Sequence, residues 1–190
     1  MNVFEQLSES DAAQFMSAPY VVKQRSRRWL AARTSMGDTL DIGCGRGILV
    51  SELYRPHRYW GVDVSHALVE QARQDNPCYS FSTVQPGMRL PFKDREFEFV
   101  IIRSVLEHCV SLEEAQFTFM EARRVASTLV YVSWHTPPVY AKTELINVPV
   151  GDLGGAMLPQ NHSARGSFDE DGLDMTVFHM DEATVWKVKK

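Results

Sequence analysis

Short apolar stretches alternate with helical patterns through the middle of the chain. Stretches typical of β-strands occupy residues 39–42, 59–64, 79–83, 97–103 and 129–134. Amphipathic patterns typical of helices follow the first, second and fourth of them, and end near residue 53, before Pro77 and near residue 126. Ser65 and Ser111 are the predicted N-caps of the second and third helices, and Glu114, three residues after Ser111, gives a capping-box pattern. This alternation predicts an α/β fold of the Rossmann-like, doubly wound type, with a mostly parallel sheet between helices in three αβα layers.

The flanks of this core have a weaker pattern. Residues 4–33 predict two helices, the second with a basic face that is either solvated or part of a lid carrying Tyr20, Lys23 and Arg27. Residues 135–174 predict an irregular substrate-side loop, and residues 175–190 a closing antiparallel hairpin. We expect one domain over residues 1–190, with a helical cap (1–35), a ligand-binding core (38–134), that loop and the hairpin.

Four polar or glycine-rich stretches fall at the carboxyl ends of predicted strands. They are residues 43–47, Asp63, residues 85–88 and residues 103–108. In an open parallel sheet with right-handed crossovers, ligands bind at this edge. The pattern therefore predicts one ligand site to which all four stretches contribute.

The first of these stretches contains Gly43, Gly45 and Gly47. Alternate glycines allow positive φ angles and leave no Cβ between the chain and a ligand. Together with the free N–H groups of the helix that follows, they predict a cradle for a small ligand. It is not a dinucleotide fingerprint, because Ile48 replaces the third glycine, and no Gly-Lys-Ser/Thr follows as in a phosphate loop.

Two carboxylates flank this cradle. Asp63, 20 residues after Gly43, can accept hydrogen bonds from both hydroxyls of a ribose. Asp41, just before the turn, favours an ammonium or sulfonium group and disfavours a pyrophosphate. The two residues together indicate a ribose-bearing cation as the ligand.

Three motifs resemble those of the class I S-adenosylmethionine-dependent methyltransferases. LDIGCGRG at residues 40–47 is similar to the first motif of that family, and GVDVS at residues 61–65 to its second. LPFKDREFEFVIIRSVLEH at residues 90–108 resembles the LPF and LEH stretch of its small-molecule subgroup. The resemblance covers roughly residues 39–132, and it implies S-adenosylmethionine as the cofactor and S-adenosylhomocysteine as the product.

The resemblance also implies roles for single residues. Gly43, Cys44 and Gly45 would line the methionine part through backbone groups, and Asp41 would hold its amino group. Asp63 would bind the ribose. The adenine would lie on Val64, under Met88 and beside Gly87, and Arg103 or Ser104 would offer main-chain contacts near the sulfonium.

The sequence departs from the family pattern in the second half of the domain. Pro86 stands where the family often has an acidic residue for the adenine amino group, so that recognition would fall to Gln85 or the backbone. The turn that usually precedes the fifth strand is absent, and no long helix follows that strand.

Catalysis needs a base only if the acceptor must lose a proton. His108, preceded by Glu107, lies just after the fourth strand and is the candidate base, although both residues are also consistent with a structural role. A metal site of the type some relatives carry would lack its first acidic ligand, since Ser104 stands there, and we expect no metal.

Two further clusters are open to a ligand-binding or a structural interpretation. An acceptor pocket would be built by Trp134, His135 and Tyr140, and an anion site by His162 and Arg165.

The composition of the chain indicates the kind of methyl acceptor and the cellular location to expect. The net charge of -4 argues against a surface that coats nucleic acid, so we expect a small-molecule acceptor for O- or N-methylation. Three widely spaced cysteines and no signal or membrane segment predict free thiols and a cytoplasmic location. We expect a monomer or homodimer. The alternatives are RNA or protein methylation, favoured if Lys23, Arg27, Arg28 and Arg165 face the pocket, and cofactor binding without catalysis.

Overall fold

The computed structural model describes residues 37–52, 58–103, 105–133, 165–170, 173–180 and 183–188. The predictions for the N-terminal helices, for Ser104 and for Trp134, His135, Tyr140 and His162 lie outside these residues. Of residues 51–52, 107, 129, 133, 165–170, 173–180 and 183–188, it describes the backbone alone.

Eight strands form a single sheet among the described residues. They are β1 (Asp38–Ile42), β2 (Arg58–Asp63), β3 (Ser80–Thr83), β4 (Phe97–Arg103), β5 (Ala126–Ser133), β6 (Arg165–Glu170), β7 (Leu173–Met180) and β8 (Ala183–Val188), in the order β3-β2-β1-β4-β5-β8-β7-β6. Strands β1 to β5 pair in parallel, whereas β8, β7 and β6 continue the sheet in antiparallel pairs. The prediction of a mostly parallel, Rossmann-like sheet with a C-terminal antiparallel hairpin is confirmed.

Among the described residues, three α-helices cover the two faces of the parallel strands. They are α1 (Ile48–Glu52), α2 (His66–Asp75) and α3 (Leu112–Val125). On one face α3 packs on apolar side chains of β1, β4 and β5, namely Leu40, Ile42, Val100, Ile102, Val130 and Val132. On the other face α1 and α2 pack on Tyr59, Phe81, Phe99, Ile101 and Tyr131. Side chains alternate between these clusters along each strand, which is why the apolar runs are continuous in sequence.

Side chains cap α2 and α3 where the sequence predicts. The Ser65 hydroxyl accepts a hydrogen bond from the Leu68 N–H at 3.3 Å, and the Ser111 hydroxyl accepts one from the Glu114 N–H at 3.2 Å. The Glu114 carboxylate accepts from the N–H of Val110, one residue before the cap, rather than from the cap residue as in a standard capping box. Both caps set the direction in which a helix leaves the carboxyl edge of the sheet.

The structure differs from the prediction after residue 125. Helix α3 ends at Val125 and β5 begins at Ala126 with no turn between them, three residues earlier than predicted. Strand β6 lies within residues 135–174, where the sequence predicts an irregular loop, so that prediction is wrong for residues 165–170. Its sequence, RGSFDE, contains glycine and acidic residues that are depleted in strands, and its pairing with β7 outweighs that preference. No helix in the described part of the chain has the length and apolar character to cross a membrane.

Candidate functional site

A cavity of about 150 Å³ opens at the carboxyl edge of the parallel strands. All the described residues that the sequence analysis assigns to a cofactor line it: Asp41, Gly43, Cys44, Gly45, Asp63, Val64, Gly87, Met88 and Arg103. His108 lines it as well, whereas the Glu107 side chain and Ser104 lie outside the described residues. The four predicted stretches therefore contribute to one cavity, and the role of each residue in it stays a prediction.

The glycine turn between β1 and α1 adopts the left-handed backbone conformation. Gly43, Gly45 and Gly47 have φ angles of 73°, 54° and 72°. A Cβ on Gly43 would lie 2.2 Å from Val105 Cγ2, and one on Gly47 would lie 2.9 Å from the Phe81 ring. Both the backbone conformation and the available space therefore require glycine at these two positions.

The N–H groups of the glycine turn donate largely to acceptors within the protein. The N–H groups of Gly43 and Cys44 donate to the Val62 carbonyl at 2.7 and 3.0 Å. Those of Gly45 and Gly47 donate to the Asp63 carboxylate at 2.9 Å and to the Cys44 carbonyl at 2.9 Å. Helix α1 has only 5 residues. An anion would find few donors here, so the turn suits a cationic or neutral group better than a phosphate.

Asp63, the last residue of β2, is the anchor of this turn. Its side chain accepts the Gly45 N–H on Oδ2 and the Ser65 N–H on Oδ1, both at 2.9 Å. Each carboxylate oxygen has a second lone pair, which leaves acceptor capacity for a ligand in the cavity. Burial raises the pKa of Asp63 above its ordinary value, and the N–H groups of Ser65, Gly45 and Val64 oppose that rise.

Asp41 is held by a tyrosine that the sequence analysis did not assign. The Tyr59 hydroxyl donates to Asp41 Oδ2 at 2.5 Å, and both side chains are buried. Burial and the nearby Asp41 raise the pKa of Tyr59 far above its ordinary value, so the hydroxyl keeps its proton and remains a donor. Tyr59 therefore fixes the orientation of Asp41 at the wall of the cavity.

Cys44 contributes an apolar surface to the cavity and not a reactive thiol. Its thiol donates to the Gly45 carbonyl at 3.6 Å. Burial, followed by the negative charges of Asp63 and Asp41, raises the pKa of Cys44 well above its ordinary value. A thiol that stays protonated is a poor nucleophile.

The loop after β3 closes the opposite end of the cavity. Val64, Gln85, Pro86, Gly87 and Met88 line this end, and the Met88 side chain is 59% exposed. Gly87 has a φ angle of 62° and therefore turns the loop in the left-handed conformation. These lining residues are mainly apolar, which suits an aromatic base.

An ion pair on α3 forms hydrogen bonds to the backbone of Leu90 and Phe92, which follow this loop. Arg124 bonds Glu121 through Nε–H and Nη2–H at 2.8 and 2.6 Å, and it also donates to the carbonyls of Leu90 and Phe92. Glu121 in turn accepts the Leu90 N–H at 2.8 Å. Burial alone would raise the pKa of Glu121, but the Arg124 hydrogen bonds and charge outweigh it, so this pKa lies below its ordinary value. These hydrogen bonds to the loop have no signal in the local sequence, because they join residues 30 or more positions apart.

His108 lies in a 3₁₀ turn, Leu106–His108, that follows β4. Its N–H donates to the Val105 carbonyl at 2.9 Å, and its side chain is half-buried and lines the cavity. The described residues contain no group of three or more His, Cys, Asp or Glu side chains that could hold a metal ion.

Comparison with known proteins supports the fold and the family. Residues 40–129 match the family model of a methyltransferase domain. The chain is 30% identical over 125 residues to a tRNA (carboxymethyluridine(34)-5-O)-methyltransferase of Saccharomyces cerevisiae. That match covers 60% of this chain and 44% of the yeast protein, so the chain spans less than half of the length of this relative.

Two solved structures share the fold over nearly the whole chain. A SAM-dependent methyltransferase from Aquifex aeolicus superposes with a TM-score of 0.61 at 12% identity, over 96% of this chain and 98% of that one. A magnesium protoporphyrin IX methyltransferase from Synechocystis PCC 6803, with bound SAH, superposes with a TM-score of 0.59 at 15% identity, over 95% and 94%. At these identities the similarity concerns the fold.

Proposed function

We propose that residues 40–129 form a class I, S-adenosylmethionine-dependent methyltransferase domain, and that the protein transfers the methyl group of S-adenosylmethionine to an acceptor. The observation that carries the proposal is the position of Asp63. It bonds the glycine turn and lines the same cavity as Val64 and residues 85–88, where an aromatic base would lie. A carboxylate there suits a ribose between a cationic amino acid part and an aromatic base.

The cavity residues fit S-adenosylmethionine along its whole length. The methionine part would lie over Gly43 and Cys44, where the absence of a Cβ on Gly43 leaves room and Asp41 complements its ammonium group. The ribose hydroxyls would donate to Asp63. The adenine would pack against Val64 and under Met88, whose exposed side chain it would cover.

When bound, S-adenosylmethionine supplies a methyl group activated by its positive sulfur. The work of the chain is then to hold donor and acceptor in line, which supplies much of the acceleration of a displacement. The cavity walls also exclude water. For an acceptor with a hydroxyl or protonated amine, a ring nitrogen of His108 would take the proton that the acceptor loses.

Replacing the histidine tests that role. His108→Ala should lower kcat by roughly 10²-fold or more if His108 is the base, with the Kd for S-adenosylhomocysteine changed less than about 3-fold. The measurement is a pH–rate profile for both proteins together with calorimetry. His66, an exposed histidine on α2 away from the cavity, provides the control variant His66→Ala. An unchanged kcat in His108→Ala would remove the residue from the chemistry.

Asp63 should make cofactor binding sensitive to acid. Because burial raises its pKa, the carboxylate takes up a proton at a higher pH than an ordinary aspartate, whose value is near 3.8. The protonated form has lost its charge and binds a ribose less well, so the Kd for S-adenosylhomocysteine should increase as the pH falls through the raised pKa. Calorimetry across this range is the measurement, and Asp63→Asn, which cannot ionise, accounts for titration of the ligand itself. Parallel curves for the two proteins would contradict the assignment.

We propose a small molecule as the acceptor. Four carboxylates line the cavity (Asp41, Asp63, Glu114 and Glu121), and among the described lining residues Arg103 is the one arginine or lysine. Together with the net charge of -4, this acidic lining disfavours a phosphate backbone near the methyl group.

Methylation of RNA is the second candidate, and the yeast relative favours it. That protein is named for methylation of a carboxymethyluridine in tRNA, and it shares 30% identity with this chain over 125 residues. A carboxylate acceptor would need no base, so His108→Ala would then change kcat little.

A labelling experiment separates the two acceptors. The protein is incubated with methyl-tritiated S-adenosylmethionine and either a filtered small-metabolite extract or a purified tRNA fraction. We expect label in the small-molecule fraction. Label in tRNA, released by ribonuclease, would favour the second candidate, and no transfer to either fraction would favour cofactor binding without catalysis.

A further inference from the structure

The end of the cavity that is proposed to bind adenine contains a carboxylate to which the proposed function assigns no role. Glu114, in the first turn of α3, lines the cavity. Its Cγ lies 3.9 Å from the position of a Cβ built on Gly87, so the side chain packs against the loop after β3. Within the part of the chain that the structure describes, its carboxylate accepts the Val110 N–H at 3.0 Å and has no ion pair with a lysine or arginine.

We propose that Glu114 recognises the exocyclic amine of the adenine. This inference rests on the proposed function, because it concerns how the same cavity selects its cofactor. In the proposed binding mode the ribose lies at Asp63, and the ammonium group of the methionine part lies near Asp41. The methionine part therefore lies at the glycine turn. The base must then lie at the other end, between Val64 and Met88 and within reach of α3.

Glu114 is the charged acceptor with spare capacity at this end of the cavity, whereas Gln85, to which the sequence pointed, offers a neutral amide oxygen. Pro86 has no side-chain polar atom and no N–H. Glu121 is occupied by Arg124 and by the Leu90 N–H, and its charge is compensated. Glu114 has used one hydrogen bond of the several that a carboxylate can accept, which leaves capacity for an amine donor.

The cap of α3 gives Glu114 a second, structural role, and one substitution separates the two roles. In Glu114→Gln the amide oxygen can still accept the Val110 N–H, so the cap is kept while the negative charge is lost. Glu113→Gln is the matched control, because Glu113 is the neighbouring glutamate in the same helical turn, is exposed and does not line the cavity.

The test compares two ligands on three proteins. Kd values are measured by calorimetry for S-adenosylhomocysteine and for its analogue with an unsubstituted purine, which lacks only the amine. Wild type and Glu113→Gln should prefer the adenine ligand by roughly tenfold to a hundredfold, the range for a hydrogen bond to a charged group. In Glu114→Gln this preference should fall to about threefold or less, with the melting temperature close to that of wild type.

The outcomes distinguish the inference from the proposed function. If both ligands bind and the preference is the same in wild type and Glu114→Gln, the inference is overturned and the proposed function stands. A wild-type preference near one would overturn the inference without any variant. If neither ligand binds wild type, the proposed function itself is wrong.

Discussion

Asp63→Ala should abolish most cofactor binding. The substitution removes a charged acceptor from two ribose hydroxyls, and each hydrogen bond to a charged group contributes roughly 1.5–3 kcal/mol. The Kd for S-adenosylhomocysteine should therefore increase by about 100-fold or more, as measured by calorimetry. The N–H groups of Gly45 and Ser65 also lose their acceptor, which loosens the turn that the ligand contacts.

A neighbouring aspartate provides the control for this loss. Asp75, near the end of α2, pairs with Arg46 at 2.8 Å and does not line the cavity. Asp75→Ala should leave the Kd within about 2-fold of wild type, since an exposed ion pair contributes at most about 1 kcal/mol to stability. Near-wild-type affinity in a folded Asp63→Ala protein would refute the ribose assignment.

Gly43→Ala should damage both the fold and the site. The φ angle of 73° costs an alanine about 1–2 kcal/mol, and its Cβ would lie 2.2 Å from Val105 Cγ2, an overlap that costs about 1–3 kcal/mol more. We expect the free energy of unfolding to fall by about 2–5 kcal/mol in urea titrations. Cofactor binding should weaken too, because the turn forms the floor of the cavity.

Two further variants isolate the overlap from the backbone strain. Gly87 has a similar φ angle of 62°, but a Cβ there would meet only Glu114 Cγ, at 3.9 Å. Gly87→Ala should therefore show the strain alone, about 1–2 kcal/mol. Adding Val105→Ala to Gly43→Ala removes the overlapping methyl group and should recover part of the loss. Equal losses in the two glycine variants would show that Val105 does not restrict residue 43.

The parallel core could be predicted because each part of it has a local signal. Strand β4 has the predicted bounds, and Ser65 and Ser111 cap their helices, since apolar periodicity and capping act over a few residues. The convergence of residues 43–45, Asp63, residues 85–88 and His108 on one cavity followed from the general geometry of parallel sheets.

What the sequence did not reveal depends on contacts between distant residues. The hydrogen bond from Tyr59 to Asp41 joins β2 to β1, and that from Arg124 to the Leu90 carbonyl joins α3 to the loop after β3. Glu114 looked like a helix cap, and only the position of α3 places it at the cavity. The hydrogen bonds of the glycine turn were not predicted either: the Val62 carbonyl accepts the N–H groups of Gly43 and Cys44, and the Asp63 carboxylate accepts that of Gly45.

The hydrogen bonds within the turn strengthen the case for a cationic cofactor. A turn with free N–H groups would suit a phosphate, whereas here the N–H groups of Gly43, Cys44, Gly45 and Gly47 have acceptors in the protein, and Asp41 and Asp63 line the cavity. The choice of S-adenosylmethionine over a nucleotide diphosphate therefore rests on charge as well as on motif.

The central claim is that this cavity binds S-adenosylmethionine, and titration of the purified wild-type chain with S-adenosylhomocysteine in a calorimeter tests it most directly. We predict saturable heat with one site per chain, competed by S-adenosylmethionine and unaffected by ADP at the same concentration. The absence of binding at millimolar ligand, or tighter binding of ADP, would contradict it.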